Sequence, residues 1–203
     1  MQFIDNWIEG EGDTFQSLNP ATQTSIWEAN MATPNQMDLA ISIAKREFIT
    51  WSTRSLEDRI VCMRRYQTVL ESKQNDLALL ISEEVGKPLW ESKTEVNAAI
   101  AKIDVSIDAY LDRCPTRTVE VNGGLQQTTH RPHGVCLVLG PFNFPLHLPN
   151  GHIIPALLAG NTVVFKPSEH SPKVAELMIK CWVEAGLPSG VISLIQGDKL
   201  CGA

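Results

Sequence analysis

Gly134-Val-Cys-Leu-Val-Leu139, Thr162-Val-Val-Phe165 and Val191-Ile-Ser-Leu-Ile195 are short apolar runs separated by two helical stretches. The reading of this segment decides the fold. The first run is continuous rather than alternating, the pattern of a strand covered on both faces in a parallel sheet. Between the first and second runs, Leu146 to Ala159 reads as a helix that stops at Gly160-Asn161. Between the second and third, Ser171-Pro172 is read as an N-cap and first-turn proline of a helix that reaches Ala185 and ends at Gly186. Strand, helix, strand, helix, strand makes one βαβαβ half of a doubly wound α/β fold, with right-handed crossovers.

Upstream the texture differs. Thr116 to Val121 and Leu125 to Arg131 alternate like strands around Asn122-Gly123-Gly124, a hairpin signal. Residues 33–114 read as four helices. Thr33-Pro34-Asn35-Gln36 supplies an N-cap, a first-turn proline and a capping-box glutamine, and Met37, Ala40, Ile41, Ala44 and Phe48 form one apolar stripe. Ser55 opens the second helix, the third runs from about Asp76 to a stop at Gly86, and the fourth ends at Cys114-Pro115. Residues 1–32 mix short β-type runs with turn residues and have no helical period. The fold class is therefore α/β: an incomplete Rossmann-like βαβαβ parallel sheet preceded by a helical region and a β-hairpin. A sheet left at three strands should expose an apolar edge.

Composition narrows the function. The 203 residues carry 17 Lys and Arg against 23 Asp and Glu, a net charge of −6, with 43% hydrophobic residues. This is a folded chain, too apolar for disorder, and it presents no basic surface for nucleic acid. Its longest apolar run, Ile153 to Ala159, is interrupted by Pro155 and far short of the ~20 residues of a membrane span. The opening residues are broken by acids and do not read as a signal peptide. The five cysteines are odd in number and never form a C-x-x-C pair, which points to reduced thiols in a cytoplasmic setting and to neither disulfides nor zinc.

In an open α/β sheet, ligands bind at the carboxyl ends of the strands. Gly140-Pro141-Phe142-Asn143-Phe144-Pro145 follows the first strand and Lys166-Pro167-Ser168-Glu169 the second. An Asn amide is a neutral donor suited to a developing oxyanion. A Lys and a Glu on one loop can serve vicinal sugar hydroxyls as donor and acceptor. From spacing alone the plainer reading is favoured, with Asn143 a turn residue and the second segment a polar loop before a helix. Three other patterns are set aside. Gly197 to Gly202 has the glycine spacing of a phosphate-binding loop, but Ala203 stands where its Lys must be. His130, His133, His147 and His152 lack ligand spacing and a nearby carboxylate, so no metal is expected. Glu84-Val-Gly-Lys-Pro88 reads as a helix stop, with Lys87 complementing the helix dipole.

Pro141-Phe-Asn-Phe-Pro145, Pro155-Ala-Leu-Leu-Ala-Gly-Asn161, Val163-Val-Phe-Lys-Pro-Ser-Glu169 and Ala185-Gly-Leu-Pro-Ser-Gly190 together resemble the aldehyde dehydrogenase superfamily in its usual order. Asn19-Pro-Ala-Thr22 and Glu84-Val-Gly-Lys-Pro88 match its amino-terminal half. Leu148-Pro-Asn-Gly-His-Ile-Ile-Pro155, Leu56-Glu-Asp-Arg-Ile60 and Gly86-Lys-Pro-Leu-Trp-Glu91 look most like the branch that oxidises succinylglutamate semialdehyde to succinylglutamate in arginine catabolism.

The resemblance implies that Asn143 donates its amide to the oxyanion of a thiohemiacetal. Pro141 and Phe142 would lie along the nicotinamide side, and Lys166 and Glu169 would hold the adenosine ribose with Ser168 beside them. A Glu facing the 2′-hydroxyl favours NAD over NADP. His147, Leu148 and Gly151 would line the aldehyde tunnel. On this likeness, residues 1–115 form the amino-terminal part of the cofactor domain, 116–133 a hairpin related to the oligomerisation region, and 134–203 the first part of the NAD-binding domain. A homo-oligomer is implied for the intact enzyme. The family's nucleophilic Cys, general-base Glu and Gly-rich pyrophosphate turn have no counterpart in these residues. Cys181 and Cys201 read as structural thiols. The expectation is thus an amino-terminal fragment, inactive alone, of an NAD-dependent aldehyde dehydrogenase. The alternatives are a dehydrogenase for another aldehyde and a non-catalytic folding or assembly module.

Overall fold

The computed structural model describes residues 1–202; Ala203, the residue that breaks the phosphate-loop pattern, lies outside the described residues. Short strands come first: β1 (Gln2–Phe3), β2 (Trp7–Ile8), β3 (Thr14–Leu18) and β4 (Ser25–Asn30). Four helices follow: α1 (Pro34–Ser52), α2 (Leu56–Ser72), α3 (Gln74–Val85) and α4 (Leu89–Arg113). Then come the hairpin β5 (Arg117–Val121) and β6 (Gly124–Thr128), and the alternating part: β7 (Val135–Leu139), α5 (His147–Leu158), β8 (Thr162–Lys166), α6 (Pro172–Glu184) and β9 (Ile192–Leu194). A short 3-10 turn covers Lys199–Gly202.

The local signals behave as the chemistry of caps requires. Gln36 N donates to Thr33 Oγ1 at 3.4 Å and Thr33 N to Gln36 Oε1 at 3.1 Å, a complete capping box. Ser55 caps α2 through the Asp58 amide at 3.0 Å. Gly86 ends α3 at φ 81°, a left-handed conformation open to glycine at little cost. The hairpin turns on Asn122 and Gly123, both at positive φ, the type I′ signature. Helix α3 begins at Gln74, slightly earlier than expected, and β6 ends at Thr128 rather than Arg131.

Strands β7, β8 and β9 are parallel neighbours, and β1 then β2 add antiparallel beyond β9, giving the order β2-β1-β9-β8-β7. The exposed edge is therefore β7, where Leu137 and Leu139 are 63% and 56% exposed, and not the last strand. This corrects the reading of β7 as buried on both faces. Strand β9 is covered because Gln2 anchors β1 beside it: its Nε2 donates to Asn30 O at 3.0 Å and its Oε1 accepts from Gln196 N at 2.5 Å. Val163, Phe165, Ile192 and Leu194 face the main core with α2 to α6, whereas Val164 and Ile195 pack with Ala40 and Ala44 of α1. Tyr66 stacks on Trp182 in that main core, ring centroids 3.5 Å apart, and donates to Asn150 Oδ1 at 3.2 Å.

Helix α6 corrects a second expectation. Ser171 occupies its N-cap but makes no capping bond, and its hydroxyl is buried without a hydrogen-bond partner among the described residues. The acceptor comes from α3: Glu84 takes Lys173 N at 3.0 Å and Val174 N at 2.8 Å. A carboxylate here answers both the orphan amides and the positive end of the helix dipole. Burial pushes the Glu84 carboxyl above its usual value, while the two amides pull it down.

Glu84→Ala should lower unfolding stability by about 0.5–2 kcal/mol, the scale of a lost helix cap, read from urea denaturation. Since the folded pKa is raised, the folded state binds the Glu84 proton more tightly than the unfolded chain. Stability tied to this group therefore falls as pH rises through the window above the ordinary 4.5, and the Glu84→Gln variant should lack that fall. An identical pH dependence in both proteins would contradict it.

Candidate active site

The site is assembled where β7 and β8 end. Gly140 leaves β7 in close contact with its neighbours: a Cβ there would sit 2.8 Å from Phe165 Cε2 and 3.1 Å from Pro149 Cγ. Only glycine lets the backbone pass, and its N–H donates to Lys166 O at 2.9 Å. This bond ties the start of the Pro141–Pro145 loop to the end of β8.

Pro141, Phe142, Lys166, Ser168 and Glu169 line one cleft of about 300 Å³. Lys166 Nζ lies 3.7 Å from a Glu169 carboxylate oxygen; the Lys side chain is 10% exposed and the Glu side chain 38%. Donor and acceptor thus meet at one cleft wall, as their shared loop requires. Ser168 shapes that loop by accepting His170 N at 3.2 Å on its hydroxyl. Phe142 meets the His170 ring edge-on at 6.0 Å. Lys199 also lines the cleft, a residue the motif reading did not single out.

Asn143 is the next residue along and lines a second cavity of about 530 Å³ with Phe144, His147, Leu148 and residues of α4. It is exposed, and its side-chain amide has no partner among the described residues. It is therefore a donor free for a ligand. His147 turns a buried Nδ1 that has no geometric hydrogen-bond partner among the described residues, and its pKa is lowered by burial and by Lys102, with Glu95 and the Ala98 backbone opposing. Gly151 lies a turn further along α5 and does not line this cavity.

The supporting residues were missed. Lys87 Nζ donates to Glu95 Oε2 and, at 3.0 Å, to the backbone carbonyl of Asn143, and it lies 4.2 Å from the Phe144 ring centroid. Its role is thus to hold the loop, more than to complement the α3 dipole. Glu95 Oε1 accepts Leu146 N at 2.9 Å and His147 N at 3.1 Å, the first amides of α5. The available signal was negative: Leu146 stands at the N-cap of α5 and has no side chain to cap with.

The buried Cys181 thiol is pushed up to about 12 by desolvation, and burial also raises Cys201, whose Sγ lies 3.5 Å from Met37 Sδ. Neither has thiolate character at neutral pH. No helix among the described residues is long and apolar enough to cross a membrane.

The profile of the aldehyde dehydrogenase family matches residues 7–203. The chain belongs to the aldehyde dehydrogenase family. It is 49% identical over 196 residues to an N-succinylglutamate 5-semialdehyde dehydrogenase of Pseudomonas fluorescens, with 97% of this chain aligned. The chain spans 40% of that relative's length. An NAD-dependent benzaldehyde dehydrogenase from Corynebacterium glutamicum superposes with a TM-score of 0.89 at 27% identity, over 97% of this chain and 44% of that one. An NADP-dependent glyceraldehyde-3-phosphate dehydrogenase from Bacillus halodurans, complexed with NADP, superposes at 0.90 and 28% identity, over 96% and 42%. The mixed α/β architecture described above is that of the aldehyde dehydrogenase fold over this portion.

With its pKa near 12, Cys181 should resist iodoacetamide at pH 8 in the folded chain and react on unfolding, followed by mass spectrometry. Native-state labelling at a rate comparable to a free thiol would show the thiol to be accessible and ionised.

Proposed function

We propose that this chain carries the oxyanion donor and the ribose-binding loop of an NAD-dependent aldehyde dehydrogenase acting on succinylglutamate semialdehyde. The observation that carries this reading is adjacency. A free Asn143 amide opens on an apolar-walled cavity, and the neighbouring residues Pro141 and Phe142 wall a cleft holding Lys166 and Glu169. The cleft suits a ribose: an ammonium donor at the end of β8 and a carboxylate acceptor on the loop that follows lie 3.7 Å apart. Bound there, NAD supplies the acceptor for the substrate's hydride.

The chain's own residues then have separable tasks. Lys166 and Glu169 fix the cofactor through its sugar hydroxyls. Asn143 donates to the aldehyde oxygen as charge develops on it, without adding a charge to the site. His147 and Leu148 form the adjacent wall, where burial lowers the His147 pKa and so disfavours a charge on its ring. The Glu169 carboxylate would repel a 2′-phosphate, which supports NAD where relatives divide between NAD and NADP. The 49% identity to the Pseudomonas enzyme supports the semialdehyde as substrate. Neither the nucleophilic Cys nor the general base of the reaction is assigned to a residue of this chain. A second reading, assembly with further copies, is favoured by the hairpin: every residue of β5 and β6 is exposed, with Leu125 at 80%. On that reading the hairpin pairs with another subunit, and the two readings are compatible.

Protein expressed from the full reading frame should form NADH on addition of succinylglutamate semialdehyde; absence of turnover with this and other aldehydes would overturn the proposal. Asn143→Ala should lower kcat by about 10²–10³-fold, the scale of one lost oxyanion donor. Glu169→Gln should raise the use of NADP relative to NAD, measured as the ratio of the two kcat/KM values.

A further inference from the structure

The loop bearing Asn143 is held at both ends, and one buried ion pair holds most of it. Lys87 sits just past the end of α3, and Glu95 lies in the second turn of α4. Their side chains are 9% and 0% exposed. Each uses its remaining bonding capacity on the same short segment. Lys87 donates to Asn143 O at 3.0 Å and its ammonium lies over the Phe144 ring; Glu95 accepts the amides of Leu146 and His147. Two charges withdrawn from water are stable only when paired and fully hydrogen-bonded, and here the bonds that complete the pair are those to the loop.

We infer that Lys87 and Glu95 are positioning residues for Asn143, setting the direction of its side-chain amide by clamping its backbone. This inference rests on the oxyanion role proposed for Asn143. The exposed Asn143 side chain has no hydrogen-bond partner among the described residues, so its aim is inherited from the backbone that carries it. On the amino-terminal side the backbone is fixed at Gly140 by the bond to Lys166 O. On the carboxyl-terminal side it is fixed by Lys87 at Asn143 itself and by Glu95 at the first turn of α5. Neither charged group is asked to touch the reacting atoms. The placement also couples the two clefts: α3 carries Glu84, which caps α6 just after the Lys166–Glu169 loop, and leads straight into Lys87. One stretch, Glu84-Val-Gly-Lys-Pro88, thus braces both ligand-facing loops.

A double-mutant cycle in the full-length protein tests this. Lys87→Met, which keeps the alkyl stem, should lower kcat about tenfold while leaving KM for NAD within about twofold. Lys87→Arg, which keeps the charge, should lose less. In the Asn143→Ala background, Lys87→Met should cost no more than about twofold further, because there is no amide left to aim. Equal losses in both backgrounds, or a normal kcat for Lys87→Met, would overturn the inference while leaving the role of Asn143 standing. A normal kcat for Asn143→Ala alone would instead remove that role and this inference with it. Should Lys87→Met fail to fold, the near-isosteric Glu95→Gln enters the same cycle with the same expected coupling.

Discussion

Every residue of β8, Thr162 through Lys166, is buried, and much of the rest of the molecule answers that constraint. A strand apolar on both faces must be covered on both, so α1 packs one side through Ala40 and Ala44 while α5, α6 and the helices behind them fill the other. Its first residue, Thr162, satisfies its hydroxyl on the Ala44 carbonyl at 2.9 Å. The preceding Asn161 accepts His133 N at 2.7 Å and Gly134 N at 3.0 Å, which brings β7 alongside in register. The last residue, Lys166, carries a charge that cannot remain unpaired where the strand ends. It emerges into the cleft and meets Glu169. The polar end of the cleft is therefore the necessary exit of a fully buried strand.

Much of the architecture was legible because its signals are local. A capping box, a left-handed glycine and an Asn-Gly turn each act within a few residues, so Thr33, Gly86 and Asn122 could be read directly. The parallel strands announced themselves as continuous apolar runs. Strand β1 did not: two residues cannot show a period, and its place depends on Gln2 bonding to Gln196, which is 194 positions away. The burial of β7 was over-read for a related reason. An apolar run states what a strand can tolerate on its faces, while the neighbour that covers Leu137 and Leu139 is a separate fact.

The site divides along the same line. The residues proposed to face ligands lie at or just past strand ends, Asn143 in the loop after β7, Lys166 as the last residue of β8 and Glu169 just beyond it, and were recognisable by position and motif. The residues that hold those loops are remote: Glu84 reaches amides 89 and 90 positions on, and Glu95 amides 51 and 52 on. Ser171 shows the hazard of a purely local reading. It has the right identity and position for an N-cap, yet the amides take the stronger, charged acceptor that tertiary packing delivers.

Helices α5 and α6, which like α3 and α4 have no side-chain cap of their own, begin immediately after the two loops proposed to face ligands. That coincidence has a physical logic. A side chain that caps its own helix fixes the loop only relative to that helix. A carboxylate from α3 or α4 fixes the loop relative to the body of the domain, against which both clefts are built. The arrangement does require a carboxylate to be buried, and the raised pKa of Glu84 records that desolvation. In return, the Asn143 amide, exposed and without a hydrogen-bond partner among the described residues, remains a free donor. At α5 the uncapped start is a usable sequence signal, since Leu146 leaves the first amides to the buried acid Glu95; at α6 the cap-like Ser171 hides the same arrangement with Glu84.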